Sequence, residues 1–223
     1  MNNAPFAALF DMDGVLVDNH RFHADSWQQF ATRHNRTITL EQYAQFINGR
    51  VAADSMPYVM QRTLLSDEVY SLTEEKEAIY RELYAPTLAP TPGLLPFLNK
   101  LKAHNVPMAV GTSAPVSNIA FTLDGTGIRP FFSAIVDASM IQRGKPDPEI
   151  YLTAGQRLGL PPNRCVVFED AFSGIEAGLR AGMTVVALAT THTRAELAHT
   201  NPHLIIDDFT QITYETLIEL LND

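Results

Sequence analysis

Residues 6–15 of the chain read Phe-Ala-Ala-Leu-Phe-Asp-Met-Asp-Gly-Val. The apolar run at Phe6–Phe10 predicts a buried β-strand, because a strand that is covered on both faces carries no polar side chains. Two carboxylates, Asp11 and Asp13, follow the run directly, and Gly14 permits a tight turn. The stretch therefore predicts a strand that ends in an acidic turn.

Five further short apolar runs predict additional strands along the chain. They are Met108–Gly111, Ala134–Val136, Val166–Phe168, Thr184–Ala189 and Leu204–Ile206. From Leu94 onward, helix-like segments separate these runs. Strands that alternate with helices predict an α/β fold with a parallel sheet that is covered on both faces.

Local signals place some of these helices. Leu94–Ala103 carries apolar residues at helical spacing. Asp147-Pro148 is expected to supply an N-cap followed by proline at the first helical position. Ser173–Glu176 has the spacing of a capping box, and Gly182 is expected to end that helix.

The segment between the first two strands breaks this alternation. It shows no strand pattern, and four stretches are helix-like: His23–Arg33, Leu40–Ile47, Ser55–Leu65 and Glu74–Tyr84. The segment is too long for a single crossover helix. We therefore expect an all-helical cap at residues 17–88, inserted into a core made of residues 1–16 and 89–223. The Pro-rich return linker at 85–93 is expected to form part of a hinge, the alternative being loose connecting loops.

Composition excludes several classes of protein. The 223 residues include 25 acidic and 16 basic side chains, which give a formal net charge of −9. No run of Lys and Arg marks a nucleic-acid or membrane surface, and Cys165 is the one cysteine, which excludes an internal disulfide. Residues 1–5 lack the basic head of a secretory signal. We expect a cytoplasmic monomer that binds neither nucleic acid nor membrane.

Four polar clusters each follow a predicted strand or lie in the loop beyond one. Because ligands bind beyond the carboxyl ends of parallel strands, we expect the clusters to meet at one edge of the sheet. Four carboxylates there would repel one another, and their oxygen atoms suit a hard cation such as Mg²⁺. The clusters are Asp11 with Asp13, Thr112 with Ser113, Lys145, and Glu169 with Asp170.

Each cluster alone has an ordinary alternative. The acidic turn at Asp11 could be a solvated turn, the pair Thr112-Ser113 an ordinary turn, and Lys145 a surface lysine. A calcium EF-hand is excluded because Phe22 stands where its loop needs an acidic residue. The glycine-rich phosphate-binding motifs of nucleotide-binding proteins do not occur in the sequence.

Together the clusters resemble the motifs of the haloacid dehalogenase superfamily. The pattern from Phe168 to Gly182, with Gly174 and Ala177, is similar to its β-phosphoglucomutase-like branch, as is a helical insert directly after the first motif. The resemblance covers nearly the whole chain. It implies a Rossmann-like core, a mobile cap and Mg²⁺-dependent phosphoryl transfer through an aspartyl-phosphate.

The resemblance also implies roles for residues of the core. Asp11 would be the nucleophile, and Asp13 would protonate the leaving oxygen and then activate the acceptor. Thr112 would hydrogen-bond the transferring phosphoryl group with Ser113 beside it, and Lys145 would neutralise its charge. The chemistry agrees, because phosphoryl transfer requires mainly alignment and charge neutralisation. Asp13 must then be protonated in the first step.

The implied metal ligands come from the same clusters. Asp11, the backbone carbonyl of Asp13, and Asp170 would hold Mg²⁺. Glu169 would lie in the first coordination shell or just behind it.

In the cap, Gly49 and Arg50 are expected to lie in a loop that faces the active site. The mutase of this branch has a Ser-Arg pair two and three residues after the glycine, and its arginine holds the second phosphate of the sugar. This chain has Val51 and Ala52 there. Arg50 directly after the glycine resembles the simple phosphatases of the family.

Three other cap residues have open interpretations. His23 and Trp27 match a His and a Trp of the mutase branch, where His23 would bind substrate. They could equally be a helix-face histidine and a core tryptophan. Lys76 could clamp a second phosphate, or could be an ordinary exposed helix charge.

The sequence as a whole predicts a Mg²⁺-dependent phosphatase for a small phosphorylated metabolite such as a sugar phosphate. The nearest alternative is a β-phosphoglucomutase that interconverts glucose 1-phosphate and glucose 6-phosphate. A serine hydrolase built on Ser113 with His192 or His199 is disfavoured, because Pro115 stands where its motif needs glycine. A non-catalytic binding protein is disfavoured because no nucleophile or ligand is missing.

Overall fold

The computed structural model describes residues 6–48, 50 and 52–222. They form two compact units. The sheet unit combines the segment up to Asp18 with the segment from Ala89 onward, and the helical unit is Asn19–Leu88. Of the residues discussed above, Gly49 and Val51 lie outside the described residues. No helix in the described ranges is both long and apolar enough to span a membrane.

The described residues contain six strands and ten α-helices. The strands are β1 (Ala7–Phe10), β2 (Met108–Gly111), β3 (Ala134–Val136), β4 (Cys165–Glu169), β5 (Thr184–Leu188) and β6 (Leu204–Ile206). The helices are α1 (His20–Arg33), α2 (Leu40–Phe46), α3 (Ala52–Met60), α4 (Ser66–Tyr84), α5 (Leu94–Ala103), α6 (Val116–Gly125), α7 (Glu149–Leu158), α8 (Phe172–Arg180), α9 (Arg194–Ala198) and α10 (Tyr214–Leu220). Short 3₁₀ turns lie at Ala85–Thr87, Arg129–Phe131, Ala138–Met140, Pro162–Arg164 and Phe209–Gln211.

All six strands form one parallel sheet in the order β3-β2-β1-β4-β5-β6. The expected α/β fold and all six strands are confirmed, and no strand end differs from its predicted position by more than one residue. β1 and β4 are central, and both are fully buried. The acidic turn after β1 and the Glu-Asp pair at the end of β4 are therefore neighbours at one edge of the sheet.

Alternate residues of β1 enter two separate apolar layers. Ala8 and Phe10 face a layer that includes side chains of α5, α6 and α10, whereas Ala7 and Leu9 face one that includes α7, α8 and α9. Phe10 stacks on Phe168 of β4 with ring centroids 4.7 Å apart. A fully buried side chain of this size stabilises the fold by about 1.5 to 3 kcal/mol. The two layers hold the central strands, and with them the strand ends, in fixed register.

Two predicted helix caps are wrong, and one helix end is right. α8 begins at Phe172 with Ala171 as its N-cap, so Ser173 lies inside the helix and forms no capping box. α7 begins at Glu149, with Pro148 in the N-cap position, although Asp147 Oδ1 still accepts the backbone N–H of Glu149 at 3.1 Å. Gly182 follows the end of α8 with φ +71°, as a helix-ending glycine does.

The helical unit packs α1, α3 and α4 around a small apolar core that includes Trp27, Phe30 and Ile79. α4 begins at Ser66, eight residues before the predicted start, because Glu68 accepts the backbone N–H of Leu65 and caps the helix there. α3 ends at Met60, before its predicted end at Leu65. The described residues of this unit contain the four predicted helices; the ends at Arg33 and Tyr84 and the start at Leu40 are confirmed, and the other bounds are wrong.

Candidate active site

The turn after β1 places Asp11 at the carboxyl edge of the sheet. Its backbone N–H donates to the carbonyl of Phe168 at 3.0 Å, which ties the turn to β4. Asp13 is half-buried, and its backbone forms an isolated bridge with Val17. Gly14 has φ +74°, and a Cβ atom there would overlap the carboxylate of Asp170. Glycine is thus required both by the backbone and by the close approach of the second acidic cluster.

Lys145 joins the two acidic clusters. Its Nζ atom donates to Asp11 Oδ1 at 2.5 Å, to Glu169 Oε1 at 2.6 Å and to the carbonyl of Gly111 at 3.3 Å. The loop that carries it is anchored by Glu149, whose carboxylate accepts the backbone N–H groups of residues 142 and 143 at 3.0 Å each. The lysine is therefore a buried counter-ion and not a surface charge.

Both oxygen atoms of Glu169 are occupied by protein donors. Oε1 accepts Lys145 Nζ and the hydroxyl of Tyr151, the latter at 2.7 Å. Oε2 accepts the backbone N–H groups of Asp170 and Ala171 at 2.9 and 3.0 Å. A Cβ atom at Gly174 would overlap this carboxylate, so the glycine makes room for it. Glu169 is 1% exposed and is held as a fixed anchor.

Crowding of buried carboxylates changes their proton affinity. Burial is the largest cause and raises the pKa of Asp11 to about 7, although Lys145 lowers it. Burial, together with Glu169 and Asp11, also raises the pKa of Asp170 well above its usual range. The lysine responds in the opposite sense: burial lowers its pKa, but the two carboxylates that it contacts raise it above the ordinary value. Burial and crowding therefore favour the protonated forms of Asp11 and Asp170.

Thr112 and Ser113 follow β2, the strand next to β1. The backbone N–H of Thr112 donates to Val136 at 3.0 Å, and its Oγ1 accepts the N–H of Ala114 at 3.0 Å. This bond orients the buried hydroxyl, and within the described part of the chain no acceptor takes the hydroxyl's own proton. Ser113 is exposed. Among the described residues no hydrogen bond joins Ser113 to His192, whose ring stacks on Phe172 instead.

The four predicted metal ligands do not form a ready-made metal centre. Within residues 6–48, 50 and 52–222, no three Asp, Glu, His or Cys side chains are arranged to hold an ion. The physical reason is that Lys145 lies between Asp11 and Glu169, and Glu169 has no oxygen to spare. Asp11 and Asp170 remain as carboxylate donors, with the backbone carbonyl of Asp13. Such a set fits Mg²⁺, which proteins usually bind through one or two carboxylates and a substrate phosphate.

The residues predicted in the cap lie in the helical unit. The ring of His23 stacks on Tyr80 with centroids 4.0 Å apart, and its Nδ1 lies 2.9 Å from Lys76 Nζ. Lys76 is 2% exposed, so its interpretation as an exposed helix charge is wrong. Arg50 is exposed and donates to the carbonyl of Gln45 at 3.2 Å.

Sequence reasoning missed three residues of the site. Tyr151, on α7, is fully buried and donates its hydroxyl to Glu169, and its ring centroid lies 5.0 Å from Lys145 Nζ. Thr190 and Thr191 follow β5, and they donate to the backbone carbonyl of Gly14 and to Asp170 Oδ2 respectively. Both threonines are polar residues that follow an apolar strand, so the rule that predicted the other polar clusters could also have predicted them.

These features define an α/β enzyme whose site lies at the carboxyl ends of parallel strands. They are the parallel sheet, the buried acidic edge, and Lys145, which contacts both Asp11 and Glu169. The chain belongs to the haloacid dehalogenase-like hydrolase family, which it matches over residues 7–182. The predicted resemblance to this superfamily is confirmed.

Known proteins of this kind resemble the chain over most of its length. Hexitol phosphatase A of Escherichia coli (strain K12) is 35% identical over 184 residues, which cover 81% of each chain. A family IA, variant 3 hydrolase of the same superfamily from Entamoeba histolytica HM-1:IMSS has a TM-score of 0.92 at 28% identity, covering 98% of this chain and 100% of that one. A β-phosphoglucomutase from Clostridium difficile has a TM-score of 0.82 at 25% identity, covering 97% and 96%.

Proposed function

We propose that the protein is a phosphatase that hydrolyses a small sugar phosphate or sugar-alcohol phosphate through a phosphorylated Asp11. One observation carries this proposal. The Asp11 carboxylate is held through Oδ1 by Lys145, and among the described residues no hydrogen bond reaches Oδ2. A carboxylate that is fixed at one oxygen and open at the other is suited to attack phosphorus.

The reaction proceeds in two displacements. In the first, Asp11 Oδ2 forms a bond to phosphorus while the bond from phosphorus to the sugar oxygen breaks, and Asp13 gives that oxygen its proton. In the second, Asp13 takes a proton from water, and the water oxygen attacks phosphorus and releases Asp11 with inorganic phosphate. The hydroxyl of Thr112 and the ammonium of Lys145 stabilise the negative charge of the phosphoryl oxygens.

Mg²⁺ is the proposed cofactor, with Asp11, the backbone carbonyl of Asp13, and Asp170 as its protein ligands. When bound, it would supply the positive charge that the crowded carboxylates and the incoming phosphate require. Glu169 is assigned a different task, because both its oxygens accept protein donors. It positions Lys145.

The substrate class is supported by the relatives and by the cap sequence. Hexitol phosphatase A, by its name, acts on a phosphorylated sugar alcohol. A mutase needs a second cationic phosphate site, and arginine is best suited to it. Ala52 stands where the mutase arginine is expected, and Arg50 makes its described hydrogen bond to Gln45. We therefore propose that the helical unit acts as a cap that lets water reach the phosphorylated aspartate.

A panel of phosphorylated sugars with Mg²⁺ tests this function. It should include β-glucose 1-phosphate and a hexitol phosphate, with free phosphate and isomerised sugar measured in parallel. Phosphate should be released with little isomerisation. Arg50→Ala should raise KM more than it lowers kcat, whereas Arg62→Ala, which removes another exposed arginine of the helical unit, should change neither. Conversion of β-glucose 1-phosphate to glucose 6-phosphate with negligible free phosphate would instead show a mutase.

A further inference from the structure

Three consecutive residues after β5 each contact a different part of the acidic edge. Thr190 contacts the turn after β1, Thr191 contacts the end of β4, and His192 contacts the start of α8. All three are half-buried and belong to the sheet unit. We call this segment, residues 190–192, the threonine loop.

The contact of Thr190 fixes the acidic turn. Its Oγ1 donates to the backbone carbonyl of Gly14 at 2.6 Å. Gly14 immediately follows Asp13, whose own carbonyl is a proposed metal ligand. A hydrogen bond to the neighbouring peptide group restricts rotation of the backbone at this point, and so restricts the direction of the ligand carbonyl.

The contact of Thr191 fixes the second carboxylate. Its Oγ1 donates to Asp170 Oδ2. Among the described residues no hydrogen bond reaches Oδ1 of this carboxylate. Thr191 therefore hydrogen-bonds one oxygen of the Asp170 carboxylate and leaves the other oxygen for a ligand. Packing here is tight, because a Cβ atom at Gly14 would lie 3.0 Å from Thr191 Oγ1.

The contact of His192 holds the loop in place. Its ring stacks on Phe172 with centroids 3.9 Å apart and an interplanar angle of 18°. Phe172 is the first residue of α8 and comes two residues after Asp170. Its side chain is 41% exposed, so the histidine covers only part of it. The stack joins the threonine loop to the element that carries Asp170.

We propose that Thr191 is a positioning residue for the divalent cation. Thr191 holds the Asp170 carboxylate so that Oδ1 is available to the metal, and Thr190 and His192 hold Thr191 in this position. The inference rests on the proposed metal site. Hydrogen-bond partners of metal ligands commonly set metal affinity, since they orient the ligand before the ion arrives. A loop that only fastened strand ends together would contribute to stability without changing the affinity for the ion.

The test compares Mg²⁺ binding in four full-length proteins without substrate. Thr191→Val keeps the shape of the side chain and removes the hydroxyl, and Thr191→Ser restores the hydroxyl. Thr200→Val is the control, because Thr200 also donates its hydroxyl to a backbone carbonyl, that of Leu197 at 2.7 Å, and lies outside the loop. The measurement is the Mg²⁺ dissociation constant, obtained by fitting the rise in Tm with Mg²⁺ concentration to mass action at constant ionic strength.

We expect Thr191→Val to need about ten- to a hundredfold more Mg²⁺ than the wild type. Thr191→Ser and Thr200→Val should bind Mg²⁺ like the wild type. An unchanged Mg²⁺ requirement in Thr191→Val, even with a lower Tm, would overturn the inference and leave the loop a structural support. Thr191→Ala serves the same comparison where valine does not fold. A wild type that shows no Mg²⁺-dependent rise in Tm would instead contradict the proposed metal site itself.

Discussion

Replacement of Lys145 by methionine tests the electrostatic account of the site. Methionine retains most of the apolar stem and removes the charge, so Asp11 and Glu169 lose the ammonium that lies 2.5 and 2.6 Å from them. Breaking a buried ion pair at one partner costs about 3 to 5 kcal/mol. We therefore expect the free energy of unfolding of the metal-free protein to fall by about that amount near pH 8.

The loss in free energy of unfolding that Lys145→Met causes should be smaller at lower pH. The folded-state pKa of Asp11 is already raised to about 7, and it should rise further once Lys145 is gone. A raised carboxyl pKa means that the folded state binds the proton more readily than the unfolded state. The unfavourable charge is therefore fully present above that pKa and is relieved as the pH falls through it.

Urea unfolding in EDTA at pH 8 and pH 6 measures both effects. Lys100→Met is the matched control, because Lys100 is exposed and its Nζ lies 3.9 Å from Glu215. An exposed pair of this kind contributes no more than about 1 kcal/mol. Two results would contradict this reasoning. In the first, Lys145→Met lowers the free energy of unfolding at pH 8 no more than Lys100→Met does. In the second, Lys145→Met lowers the free energy of unfolding by the same amount at pH 8 and pH 6.

Three further predictions follow from the same contacts. Asp170→Ala should abolish the Mg²⁺-dependent rise in Tm that the wild type shows, because a metal stabilises only the folded state that binds it; a variant that responds like the wild type would refute the metal assignment. In EDTA the wild type should become more stable as the pH falls from 8 to 6, since burial raises the pKa values of both Asp11 and Asp170; urea unfolding that shows a loss of stability over this range would contradict it. Gly174→Ala should lower stability by about 1 to 3 kcal/mol, because its Cβ would overlap the Glu169 carboxylate, whereas Gly144→Ala, which has open space around it, should be tolerated in the same denaturation assay.

The sheet could be predicted because buried parallel strands leave a simple signal. Both faces of β1 and β4 pack against apolar layers, so each strand is a short continuous apolar run. The rule that ligands bind beyond the carboxyl ends of strands then brought Asp11, Lys145 and Glu169 together, and the structure joins all three through Lys145 Nζ. The topology of the sheet, and not any one motif, therefore predicted that these three residues lie close together although they are distant in the sequence.

Other features were missed because their local signals were ambiguous. Lys76 stands among glutamates, which suggested solvent, but it shares a helix face with Ile79 and Tyr80, and all three are buried. Ser173 matched a capping box, yet α8 begins at Phe172 with Ala171 as its N-cap, so Ser173 lies inside the helix. The burial of a helix face and the residue at which a helix begins depend on tertiary packing, which a local pattern does not show.

The roles of the cap residues stay predictions. Gly49 lies outside the described residues. His23 and Arg50 have partners within the helical unit, and these contacts neither require nor exclude substrate binding. The same holds for the monomeric state and the cytoplasmic location that the sequence led us to expect.

The central claim, transfer of the phosphoryl group to Asp11, is tested most directly by trapping the acyl phosphate. Turnover of the best sugar phosphate with Mg²⁺ is quenched rapidly, the protein is reduced with borohydride, and its peptides are analysed by mass spectrometry. Reduction should convert the phosphorylated aspartate at position 11 to homoserine, and Asp11→Asn, which lacks the nucleophile, should show neither homoserine nor turnover. Phosphate release without any modification at position 11, or homoserine at another aspartate, would contradict the account.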